Sequence, residues 1–376
     1  MAVVLAPSTK RRSAFHSLTV RSVRRLTEDA VEVTLDVPAD LQDRYDYLPG
    51  QYVALRTRLE IDGEPKEVRR SYSICADPRP GELRVAVKRD LGGVFSTWAN
   101  ESLKAGDTLD VMSPLGQFTP RTTPGQQAVS LVAVAAGSGI TPVISIARAM
   151  LGSGPNVRFD LVYANRAAMD VMFLEELADL KDRYPSRFAV HHVLSREQRI
   201  SPLLSGRIDA GKLEQLLGTV IATDRVDEWF LCGPFELVQL CRDFLAERGV
   251  PADAVRFELF TTGEPARPEG SIGRPVVTDA AGENYTISFN LDGLQGSVQS
   301  PTHARESILN AALRVRPDVP FACAGGVCGT CRAKVVEGSV AMEENYALEP
   351  DEVAAGFVLT CQAHPTSDTV TVDYDA

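Results

Sequence analysis

The sequence predicts a multidomain protein in which an antiparallel β-barrel, an open parallel α/β domain and a smaller α+β domain follow one another. Residues up to about 122 form short alternating segments separated by Gly and Pro. Residues 126–260 alternate between apolar strands and amphipathic helices, and the last hundred residues combine short strands, one helix and a cysteine-rich loop. A chain of 376 residues is long enough for two or three such domains.

The barrel is predicted from strands in which polar and apolar residues alternate. Ala30–Val37, Gln51–Thr57 and Glu82–Lys88 are examples, and turn residues separate them. Several short strands of this kind are typical of an antiparallel barrel. We therefore assign residues 13–122 to the first domain and interpret the residues before it as an N-terminal arm.

The α/β domain, assigned to residues 126–260, begins with a continuous apolar run. Ala128–Ala136 has the composition of a strand that is buried on both faces of a parallel sheet. Further predicted strands are Val157–Tyr163, Phe188–Leu194, Glu228–Cys232 and Val255–Phe260, with helices at Val171–Tyr184 and Phe235–Arg248.

A segment rich in Pro, Gly and charge follows at residues 261–273, and this composition predicts a linker. The third domain is then assigned to residues 274–376. Its predicted elements are strands near Val276, at Thr286–Leu291 and at Thr369–Asp373, and a helix near Ser307–Leu313.

The charge of the chain is unevenly distributed. The net charge is −11, and residues 274–376 alone carry 6 Lys/Arg against 14 Asp/Glu. An acidic domain disfavours nucleic acid and suits a basic surface on a partner protein, although solubility alone explains it equally well. No apolar run approaches the roughly 18–20 residues that span a bilayer, so we expect no membrane association. The start of the chain lacks the charge order of a secretory signal, which predicts a reducing cytoplasm.

Four cysteines have the spacing of an iron–sulfur site. Cys323, Cys328 and Cys331 form a C-x4-C-x2-C loop, and Cys361 follows thirty residues later. This is the ligand spacing of a plant-type [2Fe–2S] cluster, which passes one electron at a time. Structural zinc is the alternative, but zinc sites more often pair two short knuckles than a three-cysteine loop with one distant ligand.

Two segments of the barrel are suited to a phosphate-bearing aromatic ligand. Arg70 and Tyr72 lie two apart on a predicted strand that also carries Ser73, so a cation and a ring face the same side. A glycine-rich helix start follows, and such a start binds phosphate through its amides. Its residues in the predicted site are Gly92, Gly93, Val94, Ser96 and Thr97. Each segment alone is also explained by an exposed strand or an ordinary turn.

The α/β domain contains a second phosphate-binding signal directly after its first strand. Gly137, Gly139, Thr141 and Pro142 lie between this strand and the following helix, as in dinucleotide-binding domains. The third glycine of G-x-G-x-x-G is missing, and a tight strand–helix turn is the alternative interpretation. A later strand ends in Cys232-Gly233-Pro234 at the same predicted edge of the sheet.

These motifs, in this order, resemble those of the ferredoxin-NADP reductase superfamily, and the C-terminal block resembles plant-type ferredoxins of the β-grasp fold. The same domain order is found in reductase components of bacterial oxygenases. The resemblance implies a protein that passes electrons from NADPH through FAD and a [2Fe–2S] cluster to the subunits of a multicomponent oxygenase. Aromatic-ring and steroid hydroxylases are alternative partners, and a ferredoxin-type carrier with a non-catalytic flavin domain is an alternative function.

The resemblance also implies a role for each motif residue. Ser73 would hydrogen-bond near flavin N5, Tyr72 would stack on the ring, and Arg70 would hold phosphate. The nicotinamide would lie near Cys232, which with Ser73 and Glu258 completes the predicted catalytic set. The remaining predicted coenzyme contacts are Gly233 and Pro234, Phe260 as a cover for the flavin, and Arg166, Ser195 and Arg196 beside the 2′-phosphate.

Overall fold

A computed structural model of the chain describes residues 3–5, 15–61, 63–90, 92–122, 128–221, 225–260, 282–291, 294–316, 319–321, 326, 329–345, 347–348 and 350–376. These residues form four β-sheets in two compact units. The larger unit contains an antiparallel and a parallel sheet, and the smaller unit contains the C-terminal sheets. No helix in these ranges combines the length and apolarity needed to cross a bilayer.

The first sheet has six strands in the order β5-β4-β7-β2-β3-β6. An antiparallel bridge between Ile74 and Val85 joins the outer strands, so the sheet closes on itself as the predicted barrel. The elements, counted after a short strand β1 (Val3–Leu5), are β2 (Phe15–Thr27), β3 (Ala30–Asp36), β4 (Tyr52–Ile61), β5 (Glu64–Ser73), β6 (Glu82–Lys88), α1 (Val94–Glu101) and β7 (Thr108–Met112).

The second sheet is parallel, with the order β10-β9-β8-β11-β12. Its elements are β8 (Val129–Ala136), α2 (Ile140–Ser153), β9 (Val157–Asn165), α3 (Leu174–Arg183), β10 (Phe188–Leu194), α4 (Ala210–Gln215), β11 (Glu228–Gly233), α5 (Phe235–Glu247) and β12 (Val255–Leu259). The strand order reverses between β8 and β11, and such a reversal opens a crevice at the carboxyl ends of these strands.

Helix α3 is shorter than the sequence predicts. The apolar pattern predicts a helix from Val171, but the helix begins at Leu174 because Phe173 adopts a left-handed backbone conformation with φ 59°. The ring of Phe173 is completely buried. Its burial therefore outweighs the local preference for a continuous helix.

The smaller unit contains a five-stranded mixed sheet with the order β14-β13-β19-β15-β17, in which β13 and β19 are parallel. This arrangement, with one helix packed on the sheet, is the predicted α+β fold. The elements are β13 (Asn284–Leu291), β14 (Leu294–Pro301), α6 (Ile308–Leu313), β15 (Arg332–Glu337), β16 (Val340–Met342), α7 (Pro350–Ala354), β17 (Phe357–Leu359), β18 (Ala363–Pro365) and β19 (Thr369–Asp373).

Strand β1 is an addition that the sequence did not predict. Val3–Leu5 pairs in parallel with Val340–Met342 in a three-stranded sheet, β1-β16-β18. The interpretation of this segment as an arm is therefore wrong, because three apolar residues are too few to reveal a strand without their partner. The predicted linker at residues 261–273 and the strand near Val276 lie outside the described residues.

Candidate functional site

The two predicted flavin motifs lie side by side in the barrel. Tyr72, near the end of β5, packs against Phe95 in the first turn of α1, with ring centroids 5.5 Å apart and planes inclined by 31°. Phe95 in turn packs edge-on against Trp98 at 5.6 Å. Ser73 ends the strand as a buried residue, whereas Arg70 is exposed. The strand and the helix start therefore meet through an aromatic contact, as a shared ligand site requires.

The start of α1 has the form of an anion-binding loop. Gly93 is the N-cap residue, and no side chain caps the first turn of the helix. The first N–H groups of a helix lack intrahelical partners. The hydroxyl of Ser96 accepts the N–H of Asp90 at 3.0 Å and donates to the carbonyl of Gly93 at 3.2 Å, so it holds the loop in shape. A Cβ at Gly92 would meet no atom within 4 Å, which leaves room for a phosphate.

The carboxyl ends of β8 and β11 approach each other closely. A Cβ built on Gly139 would lie 2.2 Å from the carbonyl oxygen of Cys232. A Cβ on Gly233 would lie 3.1 Å from the Cβ of Ala136. Only glycine permits such backbone contact. The phosphate loop and the Cys232–Pro234 turn therefore form one structure at the reversal of strand order.

Hydrogen bonds fix the phosphate loop, and the space beside Gly137 is open. The hydroxyl of Tyr163, a fully buried residue, donates to the carbonyl of Gly137 at 2.9 Å. Thr141 donates to the carbonyl of Ser138 at 3.0 Å. Gly137 has φ +52°, and a Cβ there would meet no atom within 4 Å. Open space beside a loop that is fixed by hydrogen bonds fits a pyrophosphate group.

Cys232 and Glu258 are neighbours across the β11–β12 pair. The thiol of Cys232 is completely buried, and burial together with the charge of Glu258 raises its pKa well above the usual value. The N–H of Phe260 donates to the carbonyl of Gly233 at 2.9 Å, and Phe260 packs against the core of the α/β domain. The role of Phe260 as a flavin cover stays a prediction.

A cavity of about 610 Å³ lies beyond the carboxyl end of β10. The N–H of Ser195 donates to the carbonyl of Asn165 at 2.9 Å, and that of Arg196 donates to Arg166 at 2.7 Å, which joins the loop to the end of β9. The cavity is lined by Ser195, Arg196, Glu197, Gln198, Arg199, Ile200, Pro202, Ser205 and Gly206.

Two of the three residues predicted to hold a 2′-phosphate are in the lining of this cavity. Ser195 and Arg196 line the cavity, but Arg166 does not, and its side chain is exposed. The charge of Arg166 acts instead on Asp29 of the barrel. Burial tends to raise the pKa of Asp29, but a hydrogen bond from Thr27 and the positive charges of Lys88 and Arg166 lower it. Arg199 also lines the cavity and was not predicted, because its only signal in the sequence is its position three residues after Arg196.

The cysteines of the smaller unit are described in part. Cys331 and Cys361 are buried thiols, and Cys323 and Cys328 lie outside the described residues. The N–H and hydroxyl of Thr360 donate to the carbonyl of Cys331 at 3.1 and 3.0 Å. Because Thr360 directly precedes Cys361, these bonds join the two segments that carry the described cysteines.

Gly326, which lies between Cys323 and Cys328 in the sequence, occupies a closely packed position. Gly326 has φ +77°, and a Cβ there would lie 2.9 Å from both the carbonyl oxygen of Glu344 and the side chain of Gln362. A glycine is therefore required at this position. Two buried thiols beside a glycine-dependent loop fit a [2Fe–2S] cluster.

Comparison with family models gives three matches along the chain. Residues 17–119 match an oxidoreductase FAD-binding domain, residues 133–243 an oxidoreductase NAD-binding domain, and residues 292–366 a 2Fe-2S iron-sulfur cluster binding domain. Each match lies inside one predicted domain. The chain is therefore an oxidoreductase whose FAD-, NAD- and 2Fe–2S-binding domains serve electron transfer.

Similarity to characterised proteins extends over nearly the whole chain. It is 44% identical to one of the subunits of the 1,2-phenylacetyl-CoA epoxidase of Escherichia coli, over 97% of this chain and 99% of that protein. It is 32% identical to the ferredoxin reductase component of 3-ketosteroid-9-alpha-monooxygenase of Rhodococcus rhodochrous, over 95% and 96%. The chain belongs to this family of oxygenase reductase components.

Two further comparisons agree with this assignment. The glycine betaine monooxygenase reductase subunit of Pseudomonas aeruginosa is 31% identical, over 98% of this chain and 99% of that protein. Among solved structures, phthalate dioxygenase reductase matches 96% of this chain and 98% of its own, with a TM-score of 0.52 and 23% identity. That likeness supports the fold, with flavin, nucleotide and ferredoxin modules in one chain.

Proposed function

We propose that this chain transfers electrons from NADPH to the oxygenase subunits of a phenylacetyl-CoA epoxidase in aerobic phenylacetate catabolism. The observation that carries the proposal is the 44% identity to a component of that enzyme along essentially the full length of both chains. Segments 172–185, 192–197 and 345–349 carry the narrower resemblance to this component. The partner is inferred from similarity, and a steroid or ring hydroxylase is the alternative.

Bound FAD would supply the conversion of the two-electron hydride of NADPH into single electrons, and a bound cluster would carry these electrons one at a time. The chain supplies binding and orientation for this chemistry. Tyr72 offers a half-buried ring for stacking, Arg70 a cation for phosphate, and Ser73 a hydroxyl at the strand end. The start of α1 supplies amides for the flavin phosphates, and the Gly137–Gly139 turn supplies amides for the coenzyme pyrophosphate.

We propose that the nicotinamide binds in the crevice between β8 and β11. Cys232 lies there as a neutral thiol, since its pKa is raised by burial and by Glu258. A neutral thiol presents no nucleophile to the electrophilic nicotinamide ring, so we assign Cys232 a role in shaping the crevice. Glu258 and Phe260 follow on the adjacent strand, and we propose that they border the same ring.

The cavity beyond β10 supports a preference for NADPH over NADH. Two arginines, Arg196 and Arg199, and two serines, Ser195 and Ser205, line one space. Guanidinium groups bind phosphate with bidentate geometry, so this lining suits a 2′-phosphate. The hydroxyl group that NADH carries in place of this phosphate would offer the two arginines no negative charge.

We also propose that the protein works in the cytoplasm. Cys331 and Cys361 are two of the predicted cluster ligands, and a reducing compartment keeps such thiols available to iron. Fractionation of cells that produce the chain, with periplasmic and cytoplasmic marker enzymes as controls, tests this location.

Reconstitution tests the proposed function. The purified holoprotein, mixed with the oxygenase subunits of phenylacetyl-CoA epoxidase, should support NADPH-dependent epoxidation of phenylacetyl-CoA. Cys361→Ser should abolish this turnover while NADPH still reduces the flavin, and Cys241→Ser, outside the cluster loop, should preserve both. Turnover with a steroid or ring hydroxylase and none with the epoxidase would reject the proposed partner.

A further inference from the structure

Two side chains of α2 donate hydrogen bonds to the strand segment that follows Ser73. The hydroxyl of Ser145 donates to the carbonyl of Ala76 at 2.7 Å, and the guanidinium of Arg148 donates to the carbonyl of Cys75 at 3.0 Å. The two donors lie three residues apart and therefore share one face of the helix. They connect the α/β domain to the barrel within the larger unit.

Each end of this connection is close in sequence to a predicted ligand site. Helix α2 begins at the phosphate loop, and Ser145 lies four residues, about one turn, after Thr141. Ala76 lies three residues after Ser73, which ends the flavin strand. The Ser145–Ala76 hydrogen bond is thus a direct polar link between the nucleotide helix and the flavin strand.

The accepting segment is itself fixed within the barrel. The N–H of Ile74 donates to the carbonyl of Gln51 at 2.8 Å, and the N–H of Cys75 donates to that of Arg84 at 3.0 Å. The hydroxyl of Tyr47 gives the carbonyl of Ala76 a second hydrogen bond at 3.2 Å. A shift of α2 relative to these carbonyls therefore cannot be absorbed by movement of the strand.

The Ser145 end of the link lies in a fully buried, closely packed interface. Ser145, Cys75 and Ile144 are completely buried, and Cys75 belongs to the same apolar core as the buried face of α2. A Cβ at Gly50 of the barrel would lie 3.0 Å from Ile146 of α2. Water cannot replace a lost donor in such an interface, so removing the hydroxyl leaves the carbonyl of Ala76 with fewer partners.

We propose that Ser145 and Arg148 are positioning residues that set the distance between the nicotinamide and flavin sites. The inference rests on the proposed function, since it assumes that NADPH and FAD occupy these sites. Transfer between two bound groups requires reacting atoms about 3–3.5 Å apart, and a displacement of about 1 Å lowers the rate by up to about 100-fold. The link fixes the relative position of the elements that hold the two groups.

Stopped-flow reduction of the FAD-loaded holoprotein by NADPH tests this inference without any oxygenase. Ser145→Ala should lower the limiting rate of flavin reduction about ten- to hundredfold and leave the apparent Kd for NADPH and the flavin content unchanged. Arg148→Met should act in the same direction, and Arg148→Lys, which keeps a donor, should recover part of the rate. A primary isotope effect with NADPH deuterated at C4 should persist in the slow variants.

Ser153→Ala is the matched control. Ser153 lies on the same helix, but its hydroxyl donates to the carbonyl of Met150 at 2.6 Å within the helix, so this variant should keep the normal rate. A purely structural role predicts a lower melting temperature for Ser145→Ala with a normal limiting rate, and that result would overturn the inference. If Ser145→Ala does not fold, a normal rate in Arg148→Met overturns it equally. Failure of NADPH to reduce the wild-type flavin would instead reject the proposed function.

Discussion

The carboxylate of Glu228 and the guanidinium of Arg256 form an ion pair with Oε2 and Nη2 3.0 Å apart, and both side chains are more than nine-tenths buried. The same carboxylate accepts the backbone N–H groups of Thr122 at 2.6 Å and Arg121 at 3.0 Å. Glu228 begins β11, Arg256 lies on β12, and residues 121–122 leave the barrel. One buried carboxylate therefore joins the barrel exit to two strands of the parallel sheet.

Removal of this carboxylate should strongly destabilise the larger unit. Glu228→Ala leaves Arg256 buried without its counterion, and loss of one partner of a buried pair costs about 3–5 kcal/mol. Urea unfolding followed by tryptophan fluorescence measures the loss, because Trp229 is the completely buried neighbour of Glu228. Glu214→Ala, which breaks the more exposed pair with Arg248, should cost no more than about 1 kcal/mol. Equal losses in both variants would contradict this prediction.

A methyl group at Gly139 should separate the two loops of the crevice. Gly139→Ala places its Cβ 2.2 Å from the carbonyl oxygen of Cys232, so the backbone must move apart. We expect the rate of flavin reduction by NADPH to fall about 100-fold, since coenzyme orientation is lost. Gly154→Ala is the control, because its extended backbone suits any residue and a Cβ there meets no atom within 4 Å. A Gly139→Ala protein with normal reduction kinetics would refute the expected displacement.

Coenzyme preference should depend on the arginines of the cavity. Arg196→Ala and Arg199→Ala each remove a hydrogen bond to a charged group, worth about 1.5–3 kcal/mol, and should lower kcat/KM for NADPH roughly 10- to 100-fold. The value for NADH should change less than about twofold, because NADH has no 2′-phosphate. Arg207→Ala serves as a control outside the cavity lining, and Arg166→Ala should have a smaller effect than Arg196→Ala. Equal losses with both coenzymes would exclude a 2′-phosphate site.

Alkaline pH should destabilise the larger unit through its buried thiols. Burial raises the pKa of Cys241 from 9.0 to about 12. Above about pH 9 the unfolded thiol loses its proton while the folded thiol keeps it, so the free energy of unfolding falls as the pH rises, by about 1.4 kcal/mol per pH unit for one group. Cys241→Ala should remove this contribution, and the raised pKa values of Cys75 and Cys232 should preserve the rest of the slope. If the free energy of unfolding of Cys241→Ala falls with pH as steeply as that of the wild type, Cys241 is not a source of the alkaline destabilisation.

The cluster domain should depend on the hydroxyl of Thr360. The hydroxyl of Tyr374 donates to Thr360 at 3.0 Å, and Thr360 donates to the carbonyl of Cys331, also at 3.0 Å. Thr360→Val breaks both hydrogen bonds, each worth about 0.5–1.5 kcal/mol, and should lower the iron and acid-labile sulfide retained per chain. Thr366→Val, which loses only an exposed bond to Ser339, should retain normal iron. Normal iron and sulfide content in Thr360→Val would show that these two hydrogen bonds are not needed to hold the cluster.

Much of the fold follows from the sequence because its periodicities are strong. The apolar run of β8, the alternation of β3 and the glycine turns after β8 and β11 all predict elements that the structure contains. The closeness of the Arg70–Ser73 segment to the start of α1 also follows, since both motifs were assigned to one ligand. Periodicity and local turn chemistry therefore predict the elements and the edge of the sheet where ligands bind.

Other features depend on contacts between distant residues and could not be predicted. Glu228 appeared only as the first residue of a predicted strand, and no motif in the sequence singles out Ser145. The carbonyl of Arg166 accepts the N–H of Arg196, yet Arg166 is exposed and not part of the cavity lining, and sequence proximity does not reveal this. Strand β1 required its partner β16 to be recognised. Side-chain function in these cases arises from the tertiary fold.

The loop after β10 is attached to β9 by main-chain hydrogen bonds, from Ser195 to Asn165 and from Arg196 to Arg166. Such bonds tolerate any side chain except that of proline at the donor. Substitutions in this loop can therefore accumulate without changing its backbone path. By contrast, the backbones of Gly139 and Cys232 are in close contact, so a substitution in one of these segments requires a change in the other. Evolution or a protein engineer could thus exchange one pyridine dinucleotide for the other through point changes in a single surface loop.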